Sequence, residues 1–121
     1  MRPKLIATLL CLTVLGVGCA GKQVIPAPNE HRVDAEASLR AAEGAGADRI
    51  PEAARHLEFA RQQVADAERL MVEGEEEAAE LRFRQAAADA DLAHALARSI
   101  PMERAANQTA RQAESMRRSV Q

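Results

Sequence analysis

A chain of 121 residues with 16 Lys and Arg against 18 Asp and Glu carries a net charge of −2, the two signs interspersed along its length. It has two Cys, two Phe and neither Trp nor Tyr. The lack of a basic block and of aromatic platforms argues against nucleic-acid binding. The length allows one small domain.

The first residues, Met1-Arg2-Pro3-Lys4, are positively charged, and the run "LIATLLCLTVLGV" from Leu5 to Val17 is uncharged. About 13 apolar residues is the length of a secretory signal core and short of the roughly 20 that a membrane span needs. Small residues follow as Gly16, Gly18, Cys19, Ala20 and Gly21. Two cleavage schemes fit. In the first, Val17-Gly18-Cys19 resembles the lipobox of bacterial lipoproteins, with Gly16 where Leu is usual. That resemblance implies that Cys19 is acylated and becomes the new N-terminus, and Ala20 after it implies sorting to the outer membrane. In the second, Gly18-Cys19-Ala20 is an ordinary small-x-small site, and cleavage after Ala20 discards Cys19 and releases a soluble periplasmic protein. Cys11 leaves with the leader in both, so the processed chain holds one Cys at most and no internal disulfide.

Loss of Arg2 and Lys4 takes 16 basic residues to 14 against 18 acidic ones, a net charge of −4. Ala makes up a quarter of what remains, and few strand formers accompany it. Such a composition predicts helices throughout.

Residues 19–32 read as the lipidated Cys and a flexible tether, because Pro26 and Pro28 interrupt a stretch without an apolar period. A first helix is expected over Val33–Glu43, with Val33, Ala37, Leu39 and Ala41 as a rough stripe, and Gly44 and Gly46 ending it. The second is the clearest. Pro51 and Glu52 suit a first helical turn. Ile50, Ala53, Leu57, Ala60, Val64, Ala67 and Met71 recur at alternating spacings of three and four, a heptad seam. Glu58/Arg61 and Asp66/Arg69 stand at ion-pairing distance on the other face, and Gly74 closes the helix.

The third helix is expected from Glu75 to Arg98, its first turn acidic. Two stripes run along it: Ala78, Leu81, Ala88, Leu92 and Ala95, and beside it Ala79, Phe83, Ala86, Ala90, Ala93 and Ala97. Together they predict a broad face of methyl groups packed on the second helix as an antiparallel hairpin. Pro101 predicts an interruption, with Ser99 able to cap a new start. Residues Met102 to Arg118 are then a fourth helix or a kinked continuation.

Motifs for chemistry are scarce. His31, His56 and His94 lack metal-ligand spacing, and His56 and His94 read as exposed helix residues. "GAGAD" lacks the Lys-Ser/Thr of a phosphate loop, and no Ser or Thr stands in a nucleophile motif. The acids of "EGEEEAAE" suit a helix's first turn more than a cation. The expectation is therefore no enzyme, no catalytic or metal-binding residue, no cofactor and no small-molecule substrate. Phe59 sits off the seam and is the one side chain singled out for contact with a partner.

The stretch from Leu39 to Ala97 resembles the bacterial domain-of-unknown-function family 4398. The resemblance rests on Gly46-Ala47, Pro51, Ala60 and Ala67, Gly74, and the run Asp89-Ala90 through Asp91-Leu92-Ala93-His94-Ala95. An aromatic common before the Pro is here Ile50, and one common after the Gly is replaced by Glu75 to Glu77. The resemblance implies an Ala-rich envelope lipoprotein and carries no activity with it. The reading of the sequence is an all-α protein: a leader over 1–18, a tether over 19–32, and a helical hairpin or three-to-four-helix bundle over 33–121. Its expected role is a structural or adaptor module, held to a membrane through Cys19, facing the periplasm, with a second copy or an envelope protein as partner. The alternative is a soluble periplasmic peptide-binding module of helical-repeat type.

Overall fold

The computed structural model of the protein describes residues 28–121, which form three α-helices and one short 3-10 turn, with no strand among the described residues. Helix α1 spans Pro28–Gly44, α2 spans Pro51–Glu73 and α3 spans Glu76–Ser119. The leader and Cys19 lie outside the described residues.

Helix α1 starts inside the stretch expected as tether. Pro28 is its first residue, and a Pro there lacks only an N–H that a helix's first turn leaves unused. The stripe expected on α1 is also displaced. Ala35 and Ala42 are the buried positions, with Leu39 half-buried, while Val33, Ala37 and Ala41 face solvent. The two faces share Leu39 and otherwise consist mostly of Ala, so periodicity alone does not rank them.

The turns follow from glycine. Gly46 takes φ 78° and leads into a 3-10 turn over Ala47–Arg49, while Gly44 remains helical. Gly74 takes φ 80°, and its N–H donates to Met71 O at 3.2 Å while Glu75 N–H donates to Leu70 O at 2.9 Å. That pair of bonds is a Schellman motif, which a residue with a Cβ would strain. Ile50 caps α2 and Pro51 is its first residue, as expected.

Helix α2 runs antiparallel to α3, and α1 lies parallel to α3; both pack extensively on α3 and touch each other sparingly. The α2 seam is buried or half-buried at every expected position from Ile50 to Met71. On α3 the narrower stripe alone forms the core, namely Ala79, Phe83, Ala86, Ala90, Ala93 and Ala97. The other stripe is left outside: Leu81, Ala88, Leu92 and Ala95 are exposed and Ala78 half-buried. Methyl seams let helix axes approach closely, so one stripe satisfies both neighbours.

Among the described residues fourteen apolar ones are buried, eleven of them Ala; the others are Ile50, Leu57 and Phe83. Ala60 and Ala90 aside, they gather in two clusters. One joins Ala42, Ala47, Ile50, Ala53 and Leu57 to Ala93 and Ala97; the other surrounds Phe83 with Ala35, Ala67, Ala79 and Ala86.

The expected interruption at Pro101 does not occur. Helix α3 continues through it for 44 residues, about 66 Å at about 1.5 Å per residue. Of the two arrangements expected for Met102 to Arg118, the continuation is the one found, and the described residues contain no fourth helix. Pro101 removes the N–H that would bond to the Ala97 carbonyl, yet a helix tolerates one lost bond when residues on both sides favour it. Ile100 is the last half-buried residue, and every residue from Pro101 onward is exposed. The 19 residues from Pro101 to Ser119 form an arm about 28 Å long beyond the bundle.

Candidate functional site

Between the two core clusters lies a polar node built on Asp89. Its Oδ1 is 3.0 Å from His56 Nδ1, and its Oδ2 accepts a bond of 2.8 Å from Gln63 Nε2. His56 and Gln63 stand two turns apart on α2, so one carboxylate spans both and pins α2 against α3. All three are half-buried, so His56 is not the exposed helix residue that its spacing suggested. The buried Gln63 Oε1 has no hydrogen-bond partner among the described residues. Sequence reasoning reached Asp89 only as part of the family's Asp-Ala run. A lone acid beside an Ala seam was the available signal.

Phe59 lies next to this node. Half of its side-chain surface is exposed, and its ring meets His56 edge to face with centroids 6.1 Å apart at 81°. Phe83, the other aromatic, is the largest buried side chain, 1% exposed. The two Phe residues thus take opposite roles: one fills the core and one borders the surface. His94 is half-buried on α3.

His31, expected in the tether, is on α1 with Nε2 3.2 Å from Glu80 Oε1, without hydrogen-bond alignment. Arg32 donates to Glu68 at 2.9 Å and Arg61 to Glu43 at 2.7 Å, tying α1 to α2 at both ends. The hydrogen bond to Glu36, with the nearby charges of Glu68 and Glu36, pushes the Arg32 guanidinium above its ordinary pKa. The hydrogen bond to Glu73 leads the same effect on Arg69, with Asp66 adding to it. Both arginines are charged at every working pH, and pairs this exposed orient helices more than they stabilise them. The expected Glu58/Arg61 and Asp66/Arg69 pairs are present at 3.8 and 3.5 Å.

The described residues contain no cluster of three or more His, Cys, Asp or Glu that could hold a metal ion, and no helix among them is long and apolar enough to cross a membrane. A shallow hollow of about 210 Å³ between α1, α2 and α3 is lined by Arg32, Glu68, Met71, Val72 and Phe83. What the geometry offers is surface: Phe59 beside the node, and the arm.

An alanine-seamed three-helix bundle with a projecting helical arm is the class of protein these features define. The chain belongs to the family described as Domain of unknown function (DUF4398), whose model matches residues 30–109. The match is wider than the stretch from Leu39 to Ala97 that carried the resemblance. It takes in nearly all of α1 and the first half of the arm. No curated protein and no solved structure matches the chain.

Proposed function

We propose that this protein is a non-enzymatic lipoprotein of the cell envelope, a helical structural or adaptor module held on the periplasmic side of the outer membrane through Cys19. The observation that carries the adaptor part is the arm. Nineteen helical residues stand outside the bundle, all of them exposed, and they pack against none of the other described residues. A helix gains most of its stability from packing, so a long bare one is suited to meeting another surface. The closed methyl core supports the same reading, since it leaves little room for a substrate. Phe59, half exposed beside His56, is the side chain we assign to partner contact on the bundle itself.

The anchor rests on Val17-Gly18-Cys19 after the apolar run. Several acyl chains on one Cys would hold the protein stably, whereas one is marginal. The test is intact mass and membrane fractionation of the protein expressed in a Gram-negative host, beside Cys19→Ser. The expected result is an N-terminus at Cys19 with the added mass of acyl chains, found in the membrane fraction and lost in the variant. A soluble product beginning at Gly21, unchanged by the substitution, would overturn the anchored reading.

A further inference from the structure

The arm has a pattern of its own. Met102, Ala106, Thr109, Ala113 and Met116, with Val120 as the residue that caps the helix, recur at spacings of four and three, and all six are exposed, Met102 by 70%, Met116 by 66% and Val120 by 87%. The Thr109 hydroxyl donates to Ala105 O at 3.0 Å within its own helix, which leaves its methyl as the group to pack. This stripe is not the core seam carried onward. Counted on from Ala97 by the same spacing, the seam's positions become Ile100, Arg104, Asn107, Arg111, Glu114 and Arg118, so its face turns polar where the bundle ends. The apolar stripe lies on a different side of the helix, and Arg104, Arg111 and Arg118 stand seven apart away from it.

We propose that the arm pairs with the arm of a second copy of this chain as an antiparallel two-stranded coiled coil. This concerns the described residues alone and stands whether or not Cys19 carries a lipid. The occupant is chosen by charge. Glu103 and Arg117 flank the stripe on one side with Ala110 midway between them. Antiparallel pairing about the middle of the arm sets Glu103 against the partner's Arg117, and the same contact recurs at the other end. On the opposite flank stand Ala105, Gln112 and Ser119, none of them charged, so no like charges meet. The register also fits by volume: Ala106 faces the partner's Met116 and Thr109 faces the partner's Ala113. Met102 faces the partner's Val120, so the overlap occupies the length of the arm and leaves each bundle outside it. A membrane surface fits less well. The stripe is narrow, built of Met, Ala, Thr and Val, with an acid at its edge and three Arg away from its rim.

The test is sedimentation equilibrium of the full processed chain, purified from its host in density-matched detergent. The variants are Glu103→Arg, Arg117→Glu and the two combined. The expected result is a monomer–dimer equilibrium that each single reversal weakens by about tenfold or more, since like charges then face each other twice. The combined variant restores the wild-type constant to within about threefold. Far-ultraviolet circular dichroism confirms that each variant keeps its helix content. A monomer at every concentration up to about 1 mM overturns the proposal. So does a dimer indifferent to the single reversals, or one that the combined variant fails to restore, the outcome for parallel arms, in which positions 103 and 117 do not meet. Binding of a monomeric arm to anionic vesicles, strengthened by Glu103→Arg, also overturns it.

Discussion

Phe83 is where the stability of this bundle is most concentrated, and its replacement by Ala tests the account of the core. The ring is 1% exposed and its buried neighbours are Ala35, Ala67, Ala79 and Ala86. A methyl group has no rotamers, so those four cannot move into the space that the ring vacates. Only Val64, Leu70 and Met71 at the edge of the cluster could adjust. Phe-to-Ala changes in cores cost about 3–5 kcal/mol, and the cost is larger the less the site collapses. The upper half of that range, about 4–5 kcal/mol, is therefore expected here. Phe83 also floors the hollow beside Met71 and Val72, so its loss opens the core to water. Each kcal/mol lowers the midpoint by about 4–8 °C in a domain of this size, which puts the expected fall at about 16–40 °C. Phe59→Ala is the companion measurement and costs under about 1 kcal/mol, because half of that ring is already in water. Urea and thermal unfolding followed by circular dichroism read both. A loss below about 1.5 kcal/mol for Phe83→Ala would refute the reasoning, since the cluster would then be soft enough to close over the hole.

Removing Asp89 by substitution with Ala strips the acceptor from both His56 Nδ1 and Gln63 Nε2. The expected cost is about 1–3 kcal/mol in urea unfolding, with the effect of His56→Ala much reduced in the Asp89→Ala background; additive effects would show that the node does not act as a unit. Pro101→Ala restores the missing bond to the Ala97 carbonyl and adds helix propensity worth up to about 3 kcal/mol. Amide exchange over residues 102–110 should slow on the order of 10–100-fold while the midpoint of the bundle changes little; unchanged exchange would mean that Pro101 does not limit the order of the arm.

The parts of the fold visible in the sequence were those with contrast between positions. On α2 the seam mixes Ile, Leu, Val and Met with Ala, while the opposite face is charged, so the seam could be placed to the residue. Gly74 and Pro51 marked their boundaries because each needs a backbone geometry found in few other places. On α1 and α3 two apolar faces lie side by side, and which of them is buried depends on where the neighbouring helices pack. Val33 therefore outweighs Ala35 in the apolar pattern although it faces solvent, and so do Leu81 and Leu92 beside the Ala stripe that forms the core. Pro101 gave the opposite lesson. Its local preference against a helix is overcome by the strong helix formers around it, Leu96 to Arg98 before and Met102 to Ala106 after. As for the surface, the offset position of Phe59 could be read directly from spacing. The node of His56, Gln63 and Asp89 could not, since it joins residues 33 and 26 positions apart.

The parallel alignment of α1 with α3 has a mechanical consequence. His31 at the start of α1 lies beside Glu80 near the start of α3, while Ala42 at the other end of α1 joins Ala93 and Ala97. The chain therefore enters the bundle at one end and its arm departs from the other. Tension applied between residue 28 and residue 119 draws α1 and α3 past each other along their axes. Every contact between them is then loaded at once, rather than one after another as when a zip is opened from its end. Geometry of this kind yields at higher force than peeling does, and it is obtained here from two helices whose shared surface is mostly alanine methyl groups around Phe83 and Leu39.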